Sequence, residues 1–253
     1  MNHLALKLEN VGKRFSIYKE QKTLFRLTKS LAQRIPISKT FWALRNISLE
    51  IEEGEKVGLI GRNGAGKTTL FRVASGIYKP TEGTVLRHRT LTPLFKYGIG
   101  MNPHLAVIDN IYLLGAFYGL SVREVKEKLE AVLAFSELEK FLYLPVKNLS
   151  SGQIGRLSFS IFIQSRDTFL AFDETTALAD LVFQKKMAEY FRQMMSSEKT
   201  ILMASHNLEE LKRYCQRAVW LEQGEIRKTG PVQEVIEEYN AFVDSLSPAS
   251  TLS

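Results

Sequence analysis

The stretch Gly61-Arg-Asn-Gly-Ala-Gly-Lys-Thr68 satisfies the pattern G-x-x-x-x-G-K-[S/T]. Glycines at these positions let successive backbone N–H groups curl around phosphate oxygens, and a following helix adds the partial positive charge of its N-terminus. Lys67 has the reach for β- and γ-phosphates, and the Thr68 hydroxyl can ligate Mg2+. A second stretch, Thr168-Phe-Leu-Ala-Phe-Asp173-Glu174, is an apolar run that ends in two adjacent carboxylates. Asp173 can hold Mg2+ through water. Glu174 is then placed to orient or deprotonate a water that attacks a γ-phosphate. An acidic turn after a strand is commonplace alone; beside the Gly61–Thr68 loop it reads as nucleoside-triphosphate chemistry.

Those residues need elements to hold them. Leu4, Leu6 and Leu8 alternate with Ala5, Lys7 and Glu9, the period of a strand. Ile47 to Ile51 and the short apolar run Lys56 to Ile60 read as strands, the latter leading straight into the glycine-rich loop and a helix from Lys67 to Ser75. Another strand is expected near Thr84 to Leu86. Leu105 to Glu139 looks helical, with a capping box at Ser121 and Glu124. Farther on, helices at Ser151–Gln164 and Val182–Met195 alternate with strands at Thr168–Phe172 and Thr200–Ala204. A hairpin around Gln223-Gly224 and a helix over Val232–Val243 complete the series, leaving 244–253 as a flexible tail. Strands alternating with helices predict an α/β fold with a parallel core.

The 253 residues suffice for one large domain or two small ones. With 45% hydrophobic and 24% charged residues the composition is that of a globular protein, which excludes a disordered, collagenous or coiled-coil chain. Cys215 is the single cysteine, so an intrachain disulfide and a cysteine-rich zinc site are excluded and a reducing, cytoplasmic compartment is expected. Met1 to Asn10 has no secretory pattern. Leu105 to Leu120 is the most apolar run, and Asp109 and Asn110 interrupt it, so no membrane span is expected. The net charge of +7 is concentrated: Lys13 to Arg45 holds nine basic residues against Glu20 alone. Within it Gln21 to Ile35 has helical spacing, with Leu24, Leu27, Leu31 and Ile35 on one face and Lys22, Arg26, Lys29 and Gln33 on the other, before Pro36. Such a segment predicts a local contact with something anionic.

A third motif gives the pattern a family. Leu149-Ser-Ser-Gly-Gln153 is similar to Leu-Ser-Gly-Gly-Gln, the signature of the ATPase subunits of ABC transporters, and it precedes the acidic strand at the expected interval. The chain resembles that family over about Leu4 to Val243. The resemblance implies a P-loop NTPase domain of the ABC type, with a helical subdomain at about 100–165 and an antiparallel β edge. It implies ATP bound by Gly61, Arg62, Asn63, Gly64, Ala65, Gly66, Lys67, Thr68 and Thr69, with Mg2+ at Thr68 and Asp173. It further implies catalysis by Glu174 with Lys67 and His206, and adenine stacked on Phe15, with Tyr18 in competition. Ser150, Ser151, Gly152 and Gln153 would grip the γ-phosphate of an ATP held by the other subunit of a head-to-tail homodimer, and Asp180 would lie in the loop that meets it. Ser150, Ser151 and Gly152 do place hydroxyls and N–H groups at a helix start, an anion site; Ser151 stands where the family has glycine.

Within the family, the sequence looks like the ATPases that export O-antigen, capsule or teichoic-acid polymers. Phe41-Trp-Ala-Leu44 after a basic insertion at 16–40, Gly100-Met-Asn-Pro103, Val146-Lys-Asn-Leu-Ser-Ser-Gly152 and Phe183-Gln-Lys-Lys186 carry that likeness. It implies a motor peripheral to the cytoplasmic face of a bacterial inner membrane, a separate integral membrane permease, a lipid-linked polysaccharide as cargo, and a membrane-surface contact through helix 21–35. The family's usual glutamine is missing between Lys96 and Met101, and Thr175 replaces a common proline. A carbohydrate-binding C-terminal domain, present in some members, is not expected. Motors of importers or other exporters share the same chemistry. ABC ATPases that act on nucleic acid carry coiled-coil insertions or two ATPase halves, and with neither present no nucleic-acid partner is expected.

Overall fold

The computed structural model describes residues 3–18, 38–94, 98–173, 181–205 and 207–246. The alternating leucines near the start build β1 (Leu4–Tyr18), which pairs antiparallel with β2 (Ser38–Glu52) and, on its other side, with β4 (Glu82–Arg87). The β1–β2 ladder continues through Phe15 opposite Phe41 to Tyr18 opposite Ser38, into both ends of the stretch read as an insertion. The predicted helix at 21–35 lies outside the described residues.

A second sheet runs in the order β5 (Leu91–Leu94), β6 (Phe169–Asp173), β7 (Thr200–Ala204), β3 (Lys56–Ile60), β8 (Arg217–Glu222) and β9 (Glu225–Pro231). All neighbours are parallel except β8 and β9, which form the hairpin expected at Gln223-Gly224. Strand β5 has no counterpart in the sequence reading because Pro93 argues against a strand. Its place at the sheet edge explains the tolerance, since an edge strand can spare one N–H.

The central strands are apolar without interruption because both faces are covered. On one face Leu59, Ala171, Leu202, Val219 and Leu221 pack with β1, β2 and the helix α1 (Lys67–Ala74), where Leu70 and Phe71 are fully buried. On the other, Leu170, Phe172, Ile201, Met203 and Trp220 meet a layer of helices. These are α2 (Val107–Phe117), α3 (Val122–Ser136), α4 (Ser151–Phe162), α5 (Leu181–Met195), α6 (Leu208–Tyr214) and α7 (Val232–Leu246). The helical stretch from Leu105 divides at Gly119, whose φ of 77° ends α2, and the capping box expected at Ser121 and Glu124 starts α3. Helix α7 runs on to Leu246, so the first residues assigned to a tail are helical.

Two of these features yield measurements. Asn110 is fully buried yet fully used: its Oδ1 accepts from the Asn102 N–H at 2.7 Å, and its Nδ2 donates to the carbonyls of Asn102, Leu105 and Ala106 at 2.9–3.1 Å. It thereby ties the Gly100–Pro103 turn to α2, while Lys147 N–H donates to Pro103 O at 2.9 Å and brings the segment before α4 to the same turn. Asn110→Leu leaves the Asn102 N–H without its acceptor, while the three carbonyls keep their backbone donors, and urea unfolding should show a loss of about 1–3 kcal/mol. Burial, helped by Glu55, pushes the Cys215 thiol up to about 12. At pH 8 the folded protein should therefore react with a thiol reagent far more slowly than the urea-unfolded chain.

Candidate functional site

Parallel strands deliver their carboxyl ends to one edge of a sheet, where α/β proteins place ligands. Register makes this concrete. Leu59 of β3 stands level with Ala204 of β7, and Ala204 with Asp173 of β6. With strands about 4.8 Å apart, the start of the glycine-rich loop, the segment after β7 and the end of β6 lie within about 10 Å along that edge. Asp173 is placed by its backbone as the last residue of β6. Glu174, Asp180 and His206 lie outside the described residues, as does Thr175. Ser205, just before His206, is held from the far side: its Oγ donates to Glu210 at 3.1 Å and accepts from the Asn207 N–H at 3.0 Å.

The loop itself is built by close backbone approach. Gly61, Gly64 and Gly66 take φ of 151°, 83° and 108°. A Cβ on Gly61 would lie 2.3 Å from Leu221 O, and one on Gly66 would lie 2.7 Å from Ala43 O. Gly66 is the N-cap of α1 and supplies no side chain to it, so the first amides of the helix are presented without a capping group. At the opposite end Arg87 of β4 donates to Val73 O at 2.5 Å and Ala74 O at 2.7 Å, satisfying the C-terminal carbonyls with a cation. Lys67 is buried within the loop, its Nζ donating to Gly61 O at 2.6 Å and Arg62 O at 3.3 Å. Arg62, Asn63, Gly64 and Thr68 are exposed at the mouth, Thr69 is half-buried, and Ala65 is buried beneath them.

Sequence reasoning missed what braces the loop from behind. Gly224, at φ 84° in the β8–β9 turn, donates its N–H to Ala65 O at 3.0 Å and accepts from the Arg45 N–H at 2.8 Å. The three-stranded sheet, the hairpin and the loop thus share one pair of hydrogen bonds. Gln223-Gly224 was legible as a turn; its partners were not, because they lie 159 and 179 residues earlier in the chain.

Phe15 is half-buried and stacked on Phe41 at 5.8 Å between centroids and 30° between planes. Tyr78 meets its edge at 5.5 Å, and Lys13 Nζ lies 5.3 Å from its centroid. Phe41 precedes Ala43 by two residues, so this aromatic group sits about 7 Å along β2 from the carbonyl that braces Gly66. Tyr18 is placed only by its backbone, opposite Ser38. At the other motif, Ser150 is the N-cap of α4: its Oγ accepts from the Gln153 N–H at 3.2 Å, and the Ser150 N–H donates to Gln153 Oε1 at 2.8 Å. Ser151 is exposed and Gly152 half-buried in the first turn. The Ser150 hydroxyl keeps its proton to give.

The chain is similar to known proteins in sequence and in fold. The sequence profile of the ABC transporter family matches residues 44–177. The chain is 38% identical over 199 residues to the O-antigen export system ATP-binding protein RfbB of Klebsiella pneumoniae, covering 79% of this chain and 81% of that protein. It is 34% identical over 250 residues to the teichoic acids export ATP-binding protein TagH of Bacillus anthracis, covering 99% of this chain, which spans 45% of that relative's length. The fold resembles that of the ATP-binding cassette MJ0796, solved as a dimer bound to ADP and Pi, with a TM-score of 0.70 and 22% identity over 90% of this chain and 98% of that one.

The brace behind the loop is testable outside the motif. Gly224→Ala puts a Cβ 2.8 Å from Ala43 O at a positive φ. Titration with a fluorescent ATP analogue should show binding weakened roughly tenfold, the counterpart of about 1.4 kcal/mol of strain passed to the loop.

Proposed function

Because this chain belongs to the ABC transporter family, we propose that it is the ATP-hydrolysing subunit that powers export of a lipid-linked polysaccharide through a separate membrane-spanning partner. One observation supports the ATPase half of this reading: the braced Gly61–Thr68 loop shares a sheet edge with Asp173 and with Ala204 at the end of β7. The likeness to the RfbB and TagH export proteins supports the cargo class.

In this reading the amides of Gly64 to Thr68 and the Lys67 ammonium bind the β- and γ-phosphates, and the adenine packs at Phe15. Lys67 now hydrogen-bonds two loop carbonyls, and phosphate oxygens take their place when ATP enters. The oxygen donors Thr68 and Asp173 suit Mg2+, which neutralises charge developing on the phosphates when bound. Glu174 accepts a proton from the water whose oxygen attacks the γ-phosphorus. The bond to the β,γ-bridging oxygen breaks, leaving ADP and phosphate, and His206 contacts the γ-phosphate as it departs. The Ser150–Gln153 turn of a second copy, with its first-turn amides and the Ser150 hydroxyl, closes over the same γ-phosphate, and Asp180 faces it across the dimer. Transport follows because ATP bridges two copies and so favours the closed pair; binding both states equally would move nothing.

The permease supplies the path, since among the described residues no helix is long and apolar enough to cross a membrane. The basic segment 21–35 rests on the cytoplasmic membrane surface, where each Lys or Arg contributes about 1 kcal/mol against anionic lipid.

Glu174→Gln should bind ATP with unchanged affinity while turnover falls by about 100-fold or more, measured as phosphate release. In cells, loss of the gene should deplete surface glycan and accumulate lipid-linked glycan on the inner leaflet. Unchanged surface glycan would move the cargo to another class and leave the ATPase standing. Reversing Lys22, Arg26 and Lys29 to Glu should impair export while phosphate release by the isolated subunit is kept; normal export in that variant removes the membrane role of the segment.

A further inference from the structure

Helix α3 ends on an unusual residue. After Ser136 the chain turns left-handed at Glu137, with φ 59° and ψ 40°, a place where glycine is the common occupant and a side chain carries steric cost. The Glu137 carboxylate is used by two other helices. Its Oε2 accepts from Arg156 of α4 at 2.9 Å, and its Oε1 lies 3.7 Å from the Lys186 ammonium of α5. Lys186 also donates to Phe135 O at 2.9 Å, one of the last carbonyls of α3, and sits 4.6 Å from the Phe135 ring centroid. The Arg156 guanidinium lies 5.3 Å from the buried Phe183 ring, and Phe183 meets Phe135 edge-on at 5.5 Å. Phe183 and Lys186 are the ends of the Phe183-Gln-Lys-Lys186 motif, so the structure gives that motif a place: the junction of α3, α4 and α5.

Arg156 follows Gly152 by four residues and so lies on the same face of α4, about 6 Å along the axis from the phosphate-gripping turn. Lys186 lies near the start of α5, the helix by which the chain leaves the segment after Asp173. We infer that Glu137 is a positioning residue for the ATP site shared between two copies: one carboxylate fixes the signature helix relative to the helix that follows the acidic strand. The inference rests on the proposed role of Ser150–Gln153. Exposed ion pairs add little to stability, and a strained side chain is retained only where the surroundings hold it in place; both facts favour geometry over stability as the reason for glutamate here.

That distinction makes the test. With the full chain, thermal unfolding, fluorescent ATP-analogue affinity and phosphate release at several protein concentrations are measured for wild type, Glu137→Gly, Lys186→Met and the double variant. Glycine relieves the backbone, so Glu137→Gly should keep or raise Tm and bind the analogue within about twofold of wild type. Its phosphate release should fall by about tenfold or more, since small misplacements of reacting groups cost that much. Lys186→Met, which keeps the aliphatic stem, should show the same split if the glycine variant fails to fold. The double variant should be no slower than the slower single one, as for residues acting through one bridge. Wild-type turnover in Glu137→Gly, or turnover that falls only in step with Tm and affinity, overturns the inference. A wild type that binds the analogue and releases no phosphate overturns the motor reading, and the bridge with it.

Discussion

The nucleotide loop depends on three backbones that approach more closely than side chains allow. Gly61 lies against Leu221 O, while Gly66 and Gly224 both lie against Ala43 O, with hypothetical Cβ distances of 2.3, 2.7 and 2.8 Å. A side chain at any of them would have to displace its neighbour, at positive φ values that L-residues disfavour. The loop is therefore clamped between the end of β8 and the middle of β2, with the hairpin turn as the third jaw. A loop presenting amides to phosphate must keep its shape when empty, because a loop that collapsed onto its own carbonyls would have to be reopened at the ligand's expense.

Helix ends extend this economy of backbone groups. Helices α3 and α4 both begin with a reciprocal capping box, whereas α1 begins with a glycine that caps nothing. The difference follows from what each end faces. The α1 terminus points into the loop, where phosphate would supply the missing acceptor, and Arg87 compensates its other end. At α4 the box consumes the Ser150 acceptor and the Gln153 amide, which leaves the Ser151 and Gly152 amides and the Ser150 proton as the groups able to meet an anion.

The sequence made visible what local chemistry determines. The motif Gly61–Thr68, the acidic end of β6, the Ser121–Glu124 capping box and the five-residue strand Thr200–Ala204 could all be read from spacing and polarity. Strand β5 could not, since its proline speaks against a strand unless the edge position is known. The Gly224 brace and the Asn110 knot join residues whose types alone say nothing about a partner: the sequence reading took Asn110 as an interruption of an apolar run, and the fold turns it into the best-satisfied buried amide of α2. Glu137 escaped for the same reason. A glutamate after a helix looks solvated until the backbone is seen to be left-handed there.

The six-stranded sheet also divides the labour between its faces. Alternate residues of β6, β7 and β8 belong to different cores: Ala171, Leu202 and Val219 to the one that holds α1 and the three-stranded sheet, Leu170, Ile201 and Trp220 to the one beneath the helical layer. The two cores are not fully insulated, because Ile60, directly before the loop, packs with the helical layer. Close-packed cores move as units rather than bend. The groups proposed to bind phosphate, on the loop, and those proposed to meet a partner's phosphate, at the start of α4, thus rest largely on different faces of one shared sheet. That is the separation a motor needs if ATP is to be held firmly by one surface while a second one closes over it.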